Sequence, residues 1–187
     1  MRLLSSLLFL FLFSFQAKAE ILIEPLVGYN LATSIDIDGQ DNYTGGSGLG
    51  FGGRLGYQKL GFQLGLDYLH SDIDLNDDDF GKNVSMNEFA AFAGFEFPLL
   101  VRIYAGYIFS ATGDSSYYDD FGMRKDLELS GGTGSKFGIG FTGLPFLCIN
   151  LEYRRGKFDE YDLGNTTVGE DVTYSSYLLS LSVPFVF

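Results

Sequence analysis

The residues from Tyr177 to Phe187 alternate without a break. Tyr177, Leu179, Leu181, Val183, Phe185 and Phe187 share one parity, and Leu178, Ser180, Ser182, Pro184 and Val186 share the other. Successive side chains of an extended strand point to opposite faces, so this segment has one wholly apolar face and one small, mostly polar face. A chain built from such segments must place one continuous apolar surface somewhere. A run of strands that closes on itself can do this without leaving a free edge.

Seven further segments follow the same rule. In the first, Ile21, Ile23, Pro25, Val27, Tyr29 and Leu31 oppose Glu24, Gly28 and Asn30. In the second, Leu49, Phe51, Leu55 and Tyr57 oppose Arg54 and a row of glycines, and in the third Phe62, Leu64, Leu66 and Tyr68 oppose Gln63, Gly65 and Asp67. The fourth sets Phe89, Ala91, Ala93, Phe95 and Phe97 against Glu88, Phe92, Gly94 and Glu96. The fifth sets Val101, Ile103, Ala105, Tyr107 and Phe109 against Arg102, Tyr104, Gly106 and Ser110. The sixth pairs Phe137, Ile139 and Phe141 with Lys136, Gly138 and Gly140. In the seventh, Leu147, Ile149, Leu151 and Tyr153 stand opposite Cys148, Asn150, Glu152 and Arg154.

The connections alternate in length. Gln58 to Gly61, Pro98 to Leu100 and Leu144 to Phe146 read as tight turns, whereas 32–46, 72–84, 111–134 and 157–173 read as long loops. The apolar parity is nearly free of charge. Arg155 is its main exception, and its place at the outer end of the seventh segment lets the guanidinium snorkel to an interface. Exclusion of charge is what lipid demands, since a cation on the lipid face at mid-bilayer costs about 2–4 kcal/mol. Aromatics sort by depth into two girdles, with Tyr57, Phe62, Phe95, Phe97, Phe141, Phe185 and Phe187 at the turn end. Tyr29, Tyr68, Phe89, Phe109, Phe137, Tyr153 and Tyr177 form the other at the loop end.

The opposite parity collects Glu24, Asp67, Glu88, Glu96 and Glu152 with Arg54, Arg102, Lys136 and Arg154. Facing a narrow interior, these charges pair, because a buried ion without a partner is very costly. An eight-stranded barrel has room inside for side chains and little else, so the reading is a plugged polar core. Inward glycines make room for long side chains crossing it.

The amino terminus supplies a destination. Arg2, the apolar run Leu3 to Phe15 and the small-x-small site Ala17-Lys18-Ala19 read as a signal peptide, 1–19, with a mature barrel domain over 20–187. The run is too short to span a bilayer as a helix. Removal of residues 1–19 takes Arg2 and Lys18 with it, so twelve cations become ten against twenty-four acids, a net charge of −14. Such a chain does not suit nucleic acid. With Cys148 as the one cysteine, no internal disulfide forms. No linker and no peptidoglycan-binding module follow the eighth segment on this reading.

Several constellations bear on chemistry. His70-Ser71-Asp72 lies at the outer end of the third segment, but His70 and Ser71 point to opposite faces, whereas a serine nucleophile needs its base within hydrogen-bond reach. The loops are acidic: Asp36, Asp38 and Asp41; Asp72, Asp74, Asp77, Asp78 and Asp79; Asp114, Asp119, Asp120 and Asp126; Asp159, Glu160, Asp162, Glu170 and Asp171. Asp72-x-Asp74-x-Asn76 starts like a calcium loop, then places Asp77 where glycine is needed and Asn83 where a bidentate glutamate belongs. Solvated, mutually repelling loops account for the acids, with bridging of lipopolysaccharide phosphates by divalent cations as a weaker alternative. Cys148 reads as an inert inward residue, and Gly45 to Gly53 as a strand, not a phosphate loop. No catalytic, cofactor-binding or metal residues are assigned.

The chain resembles the small eight-stranded OmpA/OmpX-type and opacity-type outer-membrane barrels over its mature length. The matching residues are Ala17-Lys18-Ala19, Glu24-Pro25-x-x-Gly28-Tyr29, Gly94-Phe95-Glu96-Phe97-Pro98, Tyr104-Ala105-Gly106-Tyr107 and the terminal Phe187, which is similar to the assembly signal of such barrels. The resemblance implies an all-β, antiparallel, up-and-down transmembrane barrel in the outer membrane of a Gram-negative cell. It also implies a monomer that meets outer-membrane lipid and lipopolysaccharide, the barrel-assembly machinery and an extracellular ligand through its loops. These motifs specify architecture and not activity, and the functional reading, from the plugged core and acidic loops, is a non-catalytic structural or adhesin-like role. The alternatives are a narrow porin-like channel, a lipid A-modifying enzyme and a soluble periplasmic barrel.

Overall fold

The computed structural model describes residues 20–37, 44–75, 83–118, 124–163, 166–168 and 172–187, with side chains over 20–36, 45–75, 83–116, 127–159 and 172–187. Its elements are β1 (Glu20–Ile37), β2 (Thr44–Lys59), β3 (Phe62–Leu75), β4 (Asn83–Phe97), β5 (Val101–Tyr118), β6 (Arg124–Leu144) and β7 (Leu147–Phe158). Two short strands follow, β8 (Glu160–Leu163) and β9 (Thr166–Val168), then β10 (Val172–Ser182) and β11 (Phe185–Val186). Each of β1 to β6 pairs antiparallel with the next, β7 pairs with β10, and β10 returns to β1. Eight staves therefore close an up-and-down barrel, with β11 prolonging the eighth. The first nineteen residues, and with them the signal-peptide reading, lie outside the described residues.

Closure runs to the last residue. β10 meets β1 in a register that pairs Leu26 with Ser182, and β11 keeps that register by pairing Ile23 with Phe185. The gap between the two strands falls at Pro184, which has no N–H to give to a ladder.

The short turns are tight hairpins. Leu60 and Gly61 both have positive φ, 52° and 84°, the two-residue geometry whose twist matches the flanking strands. Leu100 N–H donates to Phe97 at 3.2 Å and Leu100 itself sits at φ 63°, as in a three-residue hairpin loop that ends left-handed. In the third turn Pro145 precedes Phe146 at φ 62°, the order of a type II turn with a residue other than glycine at its strained position.

Along the lower two-thirds of the staves the parity reading holds. Leu49, Leu55, Leu64 and Leu66 face outward and are more than half exposed, while the charged parity is buried. The inward glycines give space as expected: a Cβ on Gly138 would lie 2.1 Å from the Tyr104 ring, and one on Gly156 would lie 2.4 Å from that of Tyr174.

The long loops are shorter than expected. Strands continue well into 32–46, 72–84, 111–134 and 157–173, and there the polarity of the two faces inverts. Asp72, Asp74, Ser85, Asp114 and Glu128 point outward, whereas Ile73, Leu75, Val84, Met86, Leu129 and Phe158 point inward and form one apolar cluster. The strand period has not changed; the solvent outside has. Below the outer girdle the outside is lipid, and above it is water, so the apolar face must turn in. Local irregularities also redirect single residues. Ser110, read as inward, is exposed, because a register shift between Ile108 and Ala111 places Phe109 and Ser110 together on the outside.

Candidate functional site

The interior holds the largest concentration of chemistry. Glu24 of β1, Arg54 of β2, Asp67 of β3, Glu88 of β4, Arg102 of β5, Lys136 of β6, and Glu152 and Arg154 of β7 are all buried. Arg102 grips Glu24 with both terminal nitrogens, at 2.7 and 2.6 Å. Arg54 Nε donates to Asp67 at 2.9 Å, Nη2 to Glu152 at 3.1 Å, and Nη1 lies 3.5 Å from Glu24. Lys136 Nζ bridges Asp67 at 2.6 Å and Glu152 at 3.5 Å. Arg154 joins Glu152 to Glu88, which accepts in turn from the Tyr174 hydroxyl of β10. Ser182 Oγ completes Glu24 at 2.5 Å. Every stave thus places a group in one connected cluster of four cations and four carboxylates with no formal net charge.

Arginines suit such a place because the planar guanidinium forks to two carboxylates while its face stacks on an aromatic ring. The Arg54 guanidinium carbon lies 4.2 Å from the centroid of Tyr104, whose ring fills the space that Gly138 leaves. Above the cluster a cavity of about 10 Å³ lies among Asn30, Thr33, Ser71, Glu88, Arg154 and Ser176, room for one water molecule. The apolar cluster follows above it.

Of the nine charges assigned inward, Glu96 alone stands apart. It is half-buried near the turn end, accepts from Gln58 at 3.4 Å and reaches none of the four cations. The contributions of Tyr104, Asn150 and Ser182 escaped the charge pattern although their inward parity was read, and Tyr174 lay before the start of the eighth segment as read. Asn150 accepts from Arg102 at 2.6 Å and donates to Ser182 at 2.9 Å.

His70 sits on the outer wall, against the Phe51 ring at 4.8 Å between centroids. Its Nδ1 is 2.9 Å from Asn87 Oδ1 and its Nε2 is 3.4 Å from Asp72. Ser71 points inward and is buried, as the parity argument required. Ser85 donates its hydroxyl to Asp72 at 2.5 Å and not to His70. Both imidazole nitrogens therefore face oxygens that cannot act as a serine nucleophile.

Of the acidic-loop residues, the side chains of Asp36, Asp72, Asp74, Asp114 and Asp159 are described, the backbones of Asp126, Glu160 and Asp162 lie in β6 and β8, and the others named above lie outside the described residues together with Asn76. Among the described residues no three of His, Cys, Asp and Glu are arranged to hold a metal ion. Cys148 is buried, and Gly45 to Gly53 lie within strand β2.

An apolar belt bounded by aromatics, a closed ladder and an ionic interior define a barrel that crosses a lipid membrane with its strands. More particularly, the chain belongs to the outer membrane protein beta-barrel domain family, whose model matches residues 5–185. Its place is the outer membrane. The fold is similar to that of Ail, the attachment invasion locus protein of Yersinia pestis, with 16% identity and a TM-score of 0.61 over 89% of this chain and 99% of that one. It is also similar to Neisserial surface protein A, with 14% identity and a TM-score of 0.55 over 88% of this chain and 97% of that one. At such identities what is shared is the fold. No curated protein sequence matches the chain.

Proposed function

We propose that the protein is a non-catalytic outer-membrane barrel with a plugged interior, and that it acts at the cell surface through its acidic outer end. The observation that carries this reading is the interior. A charge-balanced cluster fed by all eight staves lies beneath an apolar cluster, and together they support a barrel that supplies rigidity and not a passage. The environment of His70 supports the absence of lipid A chemistry. On this reading residues 1–19 are removed on export, and the mature chain is a monomer inserted by the barrel-assembly machinery among outer-membrane lipid and lipopolysaccharide.

Interaction then falls to the outer end, where charge decides the class of partner. Ail has been captured with the heparin analogue sucrose octasulfate, a polyanion. This chain carries twenty-four acids, most of them in the outer segments, so a polyanion would be repelled there. The partner that fits is a basic segment or surface. Binding of fluorescent polylysine and of fluorescent heparin to the protein in neutral phosphatidylcholine nanodiscs tests this. Polylysine should bind and be released by salt, whereas preferential binding of heparin would overturn the reading.

A further inference from the structure

Among the cations whose side chains are described, Arg54, Arg102, Lys136 and Arg154 are buried inside and Lys59 stands at the turn end. The other two, Arg155 and Lys157, lie on β7 and both point outward. Their cross-strand neighbours form an ordered field. Lys157 stands between Thr133 of β6 and Thr173 of β10, and Arg155 stands between Ser135 and Ser175. One row nearer the membrane, Tyr153 lies between Phe137 and Tyr177, and below it Leu151 lies between Ile139 and Leu179.

Three adjacent strands thus grade from an aliphatic row through an aromatic row to two rows of cation and hydroxyl. The lower rows face acyl chains, so whatever rests on the upper rows belongs to the same amphiphile. Its headgroup must be anionic and rich in acceptors. A separate row farther out carries acids, Asp72 of β3 and Ser85 of β4 with Asp114 of β5 and Glu128 of β6, and it reaches β6 five residues beyond Thr133. Asp159 bounds the cationic field from above.

We propose that Arg155 and Lys157 form a binding site for the phosphate of a phosphorylated glycolipid of the outer leaflet. Arginine binds phosphate through its fork and lysine as a point charge, while the flanking Ser135, Ser175, Thr133 and Thr173 hydroxyls add donors. The site rests on the barrel's place in the outer membrane and is independent of what the acidic end binds. A second copy of the chain, docking its acidic wall here, is the competing occupant.

Native mass spectrometry of the refolded full chain in a neutral detergent tests the site, with bis-phosphorylated lipid A, fully dephosphorylated lipid A and phosphatidylglycerol as probes. The wild type should retain phosphorylated lipid A and release the other two. The double variant Arg155→Gln/Lys157→Gln should bind it roughly 30-fold more weakly, the equivalent of about 1 kcal/mol for each cation near an anionic surface. Arg155→Lys should keep most of the binding. Ser175→Glu, which leaves both cations in place, should weaken it too and guards against a folding defect in the double variant. Equal retention of the dephosphorylated lipid, equal retention of phosphatidylglycerol, or unchanged binding by the double variant would each overturn the proposal. So would a dimer that the double variant abolishes while lipid retention stays the same.

Discussion

Ile21 and Phe187 exchange both backbone hydrogen bonds, Ile21 N–H donating to Phe187 at 2.9 Å and Phe187 N–H donating back at 3.1 Å. The first turn of the ladder in β1 and the final residue of the chain therefore form one rung, and that rung shuts the barrel at its turn end. The Phe187 ring lies outward and 73% exposed, stacked 6.4 Å from Phe185.

Deletion of Phe187 should accordingly impair assembly more than any substitution in the acidic segments. The measurement is the heat-modifiable gel shift of membrane fractions from cells expressing each variant. The deletion should leave mainly the unfolded band, while Asp77→Ala or Asp120→Ala should leave the folded band intact.

The interior cluster predicts a strong asymmetry between single and paired changes. Arg102→Met leaves Glu24 buried without its bidentate partner and should destabilise the barrel by about 3–5 kcal/mol, whereas Arg102→Met combined with Glu24→Leu should recover much of that loss. Urea unfolding of the refolded protein in detergent, followed by tryptophan-independent far-UV circular dichroism, distinguishes the two. Additive losses would contradict the pairing.

The inversion of polarity along the staves predicts where the bilayer ends. Leu66→Arg places a cation on the lipid face in the middle of β3 and should cost about 2–4 kcal/mol. Ser85→Arg, one strand away but above the girdle and beside Asp72 and Asp114, should change stability by no more than about 0.5 kcal/mol. Refolding into phosphatidylcholine vesicles measures both, and similar losses would misplace the boundary.

His70 is predicted to be without effect on lipid A. The mass spectrum of lipid A from cells expressing wild type, His70→Ala or no protein should be the same in all three. A mass change seen with wild type and lost in His70→Ala would assign a catalytic role to a residue held here by Asn87, Asp72 and Phe51.

Parity made the membrane-spanning half of the fold readable, because lipid imposes one rule on every stave. Leu64, Leu66 and Asp67 announce their faces without any partner in view. The same parity carried the residues of the ionic cluster, but not who pairs with whom. That Lys136 lies between Asp67 and Glu152, or that Tyr174 reaches Glu88, depends on how staves distant in sequence are staggered. The outer extension was harder to read for a different reason. Asp72-Ile73-Asp74-Leu75 and Val84-Ser85-Met86 alternate as faithfully as any stave, yet their polarity is inverted, so charge density gave them the look of solvated loops. Ser110 and Glu96 mark the remaining limit: a bulge and a position near the rim both break the link between parity and environment.

The interior cluster bears most on function, and single-channel recording tests it most directly. Purified protein inserted into planar bilayers should produce no stable open state, because Arg54, Arg102, Lys136 and Arg154 cross the lumen to carboxylates on other staves and the apolar cluster lies above them. A steady ohmic conductance that persists in the wild type would contradict the plugged interior, and with it the assignment of function to the barrel's outer surface.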